Sequence, residues 1–145
     1  MQFKRKIKIE SFIENLSDDG LTEDSEKLES IAIATVTESD AETEITYGEV
    51  SDGVRCDSKI TVSDGGIRVL RRGGIDSEFI FSEGEKTYSL YKVPPYEFDA
   101  EIYTKKIRNS LIRGEGELTV FYEMTVGGAT KKIKMRFTLS GGGAK

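Results

Sequence analysis

Hydrophobic and polar residues alternate with a period of two along almost the whole chain, and no long 3.6-residue stripe competes with that pattern. In FKRKIKIESFI, Phe3, Ile7, Ile9 and Ile13 share one phase against Lys4, Lys6, Lys8 and Glu10. VRCDSKITV sets Val54, Cys56, Ile60 and Val62 against Arg55, Asp57 and Lys59. EFDAEIYT, ELTVFYEMTV and KKIKMRFTLS repeat the pattern with Phe98, Ala100 and Ile102, then Leu118, Val120, Tyr122, Met124 and Val126, then Ile133, Met135, Phe137 and Leu139. Such runs predict strands with one dry and one wet face, as antiparallel sheets require.

Asp-Gly and Gly-Gly pairs punctuate these runs at residues 19–20, 52–53, 64–65, 73–74 and 127–128, with RGEG at Arg113 to Gly116. Tight turns of this kind join consecutive strands as hairpins. The 15 glycines therefore read as turn chemistry, since neither GEG nor the terminal GGG opens a helix that could cradle phosphate. A two-residue turn at Gly127–Gly128 places Val120 opposite Met135, Tyr122 opposite Ile133, and Glu123 opposite Lys132. Apolar then meets apolar on one face and opposite charges meet on the other. Across SDGG, pairing Val62 with Ile67 sets Ile60 opposite Val69 and Ser58 opposite Arg71. A three-residue turn at Gly73 to Ile75 sets Phe79 beside Val69, Phe81 beside Ile67 and Ser77 beside Arg71.

ENLSDDGLTEDSEKLE, residues 14–29, is acidic and weakly alternating, and is expected to be a long mobile loop. Residues 141–145, GGGAK, are expected to be a disordered tail. With no linker and no internal repeat, residues 1–145 read as a single all-β domain. About eight to ten strands must hide one apolar face, and a meander of hairpins favours an antiparallel up-and-down β-barrel, whose closure removes exposed edges.

Composition narrows the chemistry. The chain has no histidine, which excludes histidine-based triads, proximal-histidine haem sites and histidine-ligated metals. Cys56 is the only cysteine, so no intrachain disulfide or multi-cysteine metal site exists, and its phase predicts inert burial. No cofactor, metal site or catalytic residue is expected. No run approaches the roughly 18 apolar residues of a membrane helix, and no signal-peptide core is visible; a cytoplasmic protein without a membrane partner is the expectation. The net charge of −5 argues against nucleic acid as a partner.

The order of ITYGEVSDG, ITVSDGGIRVLRRGG, FIFSEGE, LYKVPPYEFDAEIYTKKI and GEGELTVFYEMTVGG resembles the YwiB-like family of bacterial proteins, a domain of unknown function numbered 1934. The resemblance runs from about Phe3 to Leu139 and rests on Arg71 with Gly73, Phe81, Tyr91, Thr104, and Gly116 with Tyr122. It implies a calycin-like barrel, lipocalin-like in architecture, and no established activity. Where the family runs Thr-Pro-Tyr-Gly, this chain has VPPYEF, so no ligand contact by that loop is carried over.

Within IRVLRRGG, Arg71 shares the apolar phase of Ile67 and Val69, whereas Arg68 and Arg72 point to water. An inward guanidinium needs a partner or a route to solvent. It could hold a ligand carboxylate or phosphate, snorkel at the barrel end, or pair with an internal carboxylate. The candidate ligand-binding set is Arg71, Ser58, Ser77, Tyr91 and Tyr122, for a small anionic or amphipathic molecule. The remaining tyrosines, Tyr47, Tyr88, Tyr96 and Tyr103, read as core or rim residues. Glu97, Asp99 and Glu101 alternate with Phe98 and Ala100 and read as a solvated strand face. The stripes Lys4, Lys6, Lys8 and Lys132, Lys134, Arg136 would join if the first and last strands pair; lacking interleaved aromatics, they read as a solubility face. A first strand reading KIKIESF lacks the Glu-x-Glu-x-Lys of tunnel-type triphosphate enzymes. The alternative function is a protein-interaction module, as a homodimer or with another chain, through an outer face.

Overall fold

Alternation becomes a closed wall. The computed structural model describes residues 1–16, 22–51, 53–74, 76–93 and 96–141, with side chains described for all of these except residues 22, 23, 51, 91 and 93. The strands are β1 (Gln2–Leu16), β2 (Thr22–Glu38), β3 (Glu42–Ser51), β4 (Val54–Ser63), β5 (Gly66–Gly73), β6 (Asp76–Phe81), β7 (Lys86–Val93), β8 (Tyr96–Asn109), β9 (Gly116–Val126) and β10 (Ala129–Ser140). Each pairs antiparallel with its sequence neighbours, and β1 pairs with β10 to close the barrel.

The expected hairpin registers hold. Val126 faces Ala129, Val120 faces Met135, Tyr122 faces Ile133 and Glu123 faces Lys132. Gly127 and Gly128 both have positive φ, 59° and 83°, which the two-residue turn demands and side chains resist. Ser58 faces Arg71, and Arg71 faces Ser77, as the longer turn after Gly73 requires. Gly73 is also fixed sterically, because a Cβ there would collide with the Arg55 carbonyl of β4.

Inward side chains form one core. Ile7, Val36, Ile45, Ile60, Ile102, Leu118, Val120, Phe81 and Phe137 are essentially inaccessible to solvent. Phe81 anchors the centre, its ring 4.7 Å from Tyr122 and 6.2 Å from Phe79. The end of the barrel where β8 and β9 are joined is plugged by Phe3 and Leu111, packed against that core. Arg5 crosses there, donating to the Arg113 carbonyl at 2.9 Å with its guanidinium 4.7 Å from the Phe3 ring.

One expectation is corrected. Residues 14–16 and 22–29 are strand, not loop: Glu14 pairs with Ser25 and Asn15 with Asp24, so β1 and β2 run on as a ribbon. Alternation reports burial, not pairing, and this ribbon extends beyond the dry interior, so its residues had no reason to alternate. The rest of that segment, residues 17–21, and the tail at 142–145 lie outside the described residues.

The wall thins in two places. β2 pairs with β3 only from Ala34–Tyr47 to Glu38–Thr43, leaving Thr22–Ile33 without a β3 partner among the described residues. Between β6 and β7 two pairs are seen, Asp76–Lys92 and Ser77–Tyr91. Beyond them hydroxyls stitch the seam: Thr87 Oγ1 donates to the Ile80 carbonyl and Ser89 Oγ to the Glu78 carbonyl, each at 2.5 Å.

Candidate functional site at the barrel mouth

Where β2 leaves β3, the interior opens. A cavity of about 210 Å³ lies there, walled by Ile9, Val69, Phe79, Phe81, Met135 and Phe137, with Arg71, Tyr47, Glu49, Glu29, Ser11 and Ser30 as its polar members. Cross-strand pairing builds its polar side. Tyr47 faces Ser58, Ser58 faces Arg71, Arg71 faces Ser77, and Ser77 faces Tyr91, so one belt crosses β3 to β7 on the inner face. Three of the five expected site residues, Ser58, Arg71 and Ser77, share this face because side chains directly opposite in register do so, and the Tyr91 backbone continues the belt.

Arg71 is half-buried, and no carboxylate of a described residue lies within ion-pair distance of it. Arg68 and Arg72 are exposed on the outer face, as the phase required, and Arg68 forms a salt bridge with Glu78. Ser58 and Ser77 are 4% and 3% exposed, and Ser77 Oγ has no hydrogen-bond partner among the described residues. A buried hydroxyl without a partner costs free energy until something accepts from it or donates to it. The Tyr47 phenol is pushed up by burial, and Glu49 adds to the rise; its hydrogen bond with Ser58 and the Arg71 charge oppose it. Tyr47 therefore serves the mouth as a neutral hydrogen-bonding phenol.

The remaining expectations divide. Tyr122 is a core residue, 3% exposed against Phe81 and opposite Thr104, and does not reach the mouth. Tyr47, read from the sequence as a core or rim residue, stands at the mouth where Tyr122 was expected; its phase with Ile45 on the strand before Ser58 was the signal. The side chain of Tyr91 lies outside the described residues, though its backbone continues the belt. Cys56 is half-buried at the rim, opposite Glu49 and Gly73, where inert burial was expected; the barrel interior has already opened at that level. Glu97 and Glu101 behave as a wet face, each 3.7 Å from a lysine of β7.

Outside the barrel, β1 carries a second polar assembly. Glu10 points outward yet is only 4% exposed, because Arg136 and Lys27 fold over it at 2.9 and 3.2 Å. The Arg136 hydrogen bond, with help from Lys27 and Lys8, holds its carboxyl below the usual range despite the cost of desolvation. The two basic stripes are offset along the strands: Lys134 faces Phe12 and Lys132 faces Glu14, while Lys6 faces Ser140. Aromatics do interleave with them, which corrects the reading of a plain solubility face. Phe12 has Lys27 and Lys134 Nζ each 5.4 Å from its centroid, and Phe121 has Lys134 and Arg108 at 5.6 and 5.7 Å.

A ten-stranded antiparallel meander closed by its terminal strands, apolar inside and open at one end, defines the molecule as an all-β barrel protein. The chain belongs to the family described as a domain of unknown function (DUF1934), whose model matches residues 7–139. It is 28% identical over 99 residues to the uncharacterized beta-barrel protein YwiB of Bacillus subtilis (strain 168), covering 68% of this chain and 70% of that one. The crystal structure of ywiB protein from Bacillus subtilis superposes with a TM-score of 0.72 at 22% identity, over 96% of this chain and 93% of that one. That likeness shows the fold.

Proposed function

We propose that the barrel mouth binds a small amphipathic anion, its carboxylate or phosphate on Arg71 and its apolar part against Phe79, Phe81, Met135 and Phe137. The observation that carries this reading is Arg71 itself: an inward, half-buried guanidinium without an ion-pair partner among the described residues. Such a group is stabilised by an anion that accepts two parallel N–H bonds. The orphaned Ser77 hydroxyl and the neutral Tyr47 phenol supply further hydrogen bonds beside it. A volume of about 210 Å³ falls below the roughly 300–1,000 Å³ of drug-sized sites, so the occupant is small, of the order of a short-chain or aromatic acid. Titration with hexanoate and benzoate, followed by amide chemical shifts, tests it. Shifts should gather on β3 to β6 near Tyr47 and Arg71 and vanish in Arg71→Met. Shifts that survive the substitution, or none at millimolar acid, overturn the assignment.

A second reading has its own support in an outer apolar patch. Tyr88 and Leu90 on β7 are 71% and 45% exposed, with Ile80 and Tyr103 exposed on the flanking strands. Under this reading the patch is a self-association face. Sedimentation of wild type and Tyr88→Ser/Leu90→Ser decides it: a dimer that the double variant loses supports the face, and a wild-type monomer at high concentration removes it.

A further inference from the structure

We propose that the outer face of β8, β9, β10, β1 and β2 binds single-stranded nucleic acid. Lys106 faces Phe121, Phe121 faces Lys134, Lys134 faces Phe12, and Phe12 faces Lys27. One row of outward side chains thus alternates cation and aromatic across five strands, about 19 Å at strand spacing. Sheet faces that bind single strands use this chemistry: rings to stack bases and cations to meet phosphates.

More cations are left without a carboxylate on this face than on the opposite wall. On the opposite wall Arg55 sits on Asp57, Lys59 on Glu44, Arg68 on Glu78 and Lys86 on Glu101, and Arg72, bonded to the Arg71 carbonyl, is the exception among the described outer cations of β4 and β5. Around Phe121, by contrast, Lys106, Arg108, Lys132 and Lys134 have no carboxylate within 4.0 Å among the described residues. Arg136 and Lys27 are held by Glu10, and Lys105 by Glu123 at 2.7 Å. In a chain of net charge −5, these four cations outnumber Glu14 and Glu117, the carboxylates that line the same depressions outside the Lys105–Glu123 pair, and leave a local positive excess.

Surface shape selects a polymer over a single nucleotide. Two depressions meet at Phe121 and Lys134. One, of about 420 Å³, lies toward Phe12 and Lys132; the other, of about 300 Å³, lies toward Arg108 and Arg136. A chain with a repeating base and phosphate can occupy both while crossing the shared ring, whereas a free nucleotide fills one. An acidic peptide would satisfy the cations but leave both phenylalanines unused.

Fluorescence anisotropy of a labelled single-stranded oligouridylate of roughly twelve nucleotides tests the proposal on the intact protein. Binding should appear at about 20 mM salt and weaken with a logarithmic slope near −2 to −3, as three or four neutralised phosphates give on single strands. Lys106→Gln/Lys134→Gln should flatten that slope by about 1.4. Phe121→Ala should weaken binding about 5- to 150-fold with the slope unchanged, at a melting temperature close to wild type. Lys59→Gln, on the ion-paired wall, should change nothing. The proposal is overturned by the absence of binding at low salt, or by a slope indifferent to the lysine pair. Equal competition by oligoglutamate would assign the face to an acidic protein segment instead, and equal competition by uridine monophosphate to a single-nucleotide site.

Discussion

Arg68, Arg71 and Arg72 lie within five residues of one another, yet strand geometry places them in different surroundings. Because no carboxylate of a described residue pairs with Arg71, its removal strands no buried charge. Arg71→Met should therefore change stability by less than about 1 kcal/mol, where breaking a buried pair costs about 3–5 kcal/mol. Denaturant titration separates the two outcomes. Glu10 gives the opposite case. Its carboxyl is held below the usual carboxylate range by Arg136 and Lys27, so it contributes stability at and above that range. That contribution is lost as pH falls through the depressed folded pKa. Wild type should exceed Glu10→Gln in melting temperature at neutral pH, and the gap should close in acid; a constant gap would mean that the charge is not the cause. Arg71 was legible from phase alone. The cover over Glu10 was not, since it depends on Arg136 and Lys27 arriving from the strands on either side.

Among elements, the β9–β10 hairpin shows how far register can be read from residue types. Glycines fix the turn, alternation fixes the face, and the pairing of Val126 with Ala129 follows. The same register sets Phe121 opposite Lys134, so the interleaved aromatic was available to cross-strand arithmetic and hidden only from a reading along single strands. The charge pair was less legible. Glu123 lies opposite Lys132 in register, but the contact is with Lys105 at 2.7 Å, where a register shift in β8 between Thr104 and Lys106 alters the facing. A bulge adds one residue that no periodicity announces. Reversing Glu123 or Lys105 alone should cost a few tenths to 1 kcal/mol, with the double swap recovering most of it. Lys132→Ala should stay under about 0.5 kcal/mol. Recovery through Lys132 in place of Lys105 would show that the pair in solution follows the register. The β1–β2 ribbon was missed for the complementary reason: backbone pairing beyond the core leaves no hydrophobic trace.

At the scale of the molecule, closure is uneven. β1 is paired over most of its length on both sides, whereas β6 and β7 share two described pairs and then rely on Thr87 and Ser89. Ser89 is 7% exposed, and its hydroxyl takes the Glu78 carbonyl that a full ladder would give to a backbone amide. Ser89→Ala removes that donor and leaves a carbonyl short of a partner, at a cost of about 1–3 kcal/mol. The seam lies beside Ser77 and Arg71, so its opening also loosens one wall of the mouth. Hydrogen exchange should therefore rise in β6 and β7 of Ser89→Ala while β9 and β10 keep wild-type protection, because local openings need less free energy than global unfolding. If protection falls equally in all strands, the seam opens only with the whole barrel. If it falls nowhere, water has replaced the hydroxyl without loss and the stitch is dispensable. With selective loss, Arg71 is anchored on a strand whose neighbour can part from it, and the mouth is the most deformable section of an otherwise rigid wall.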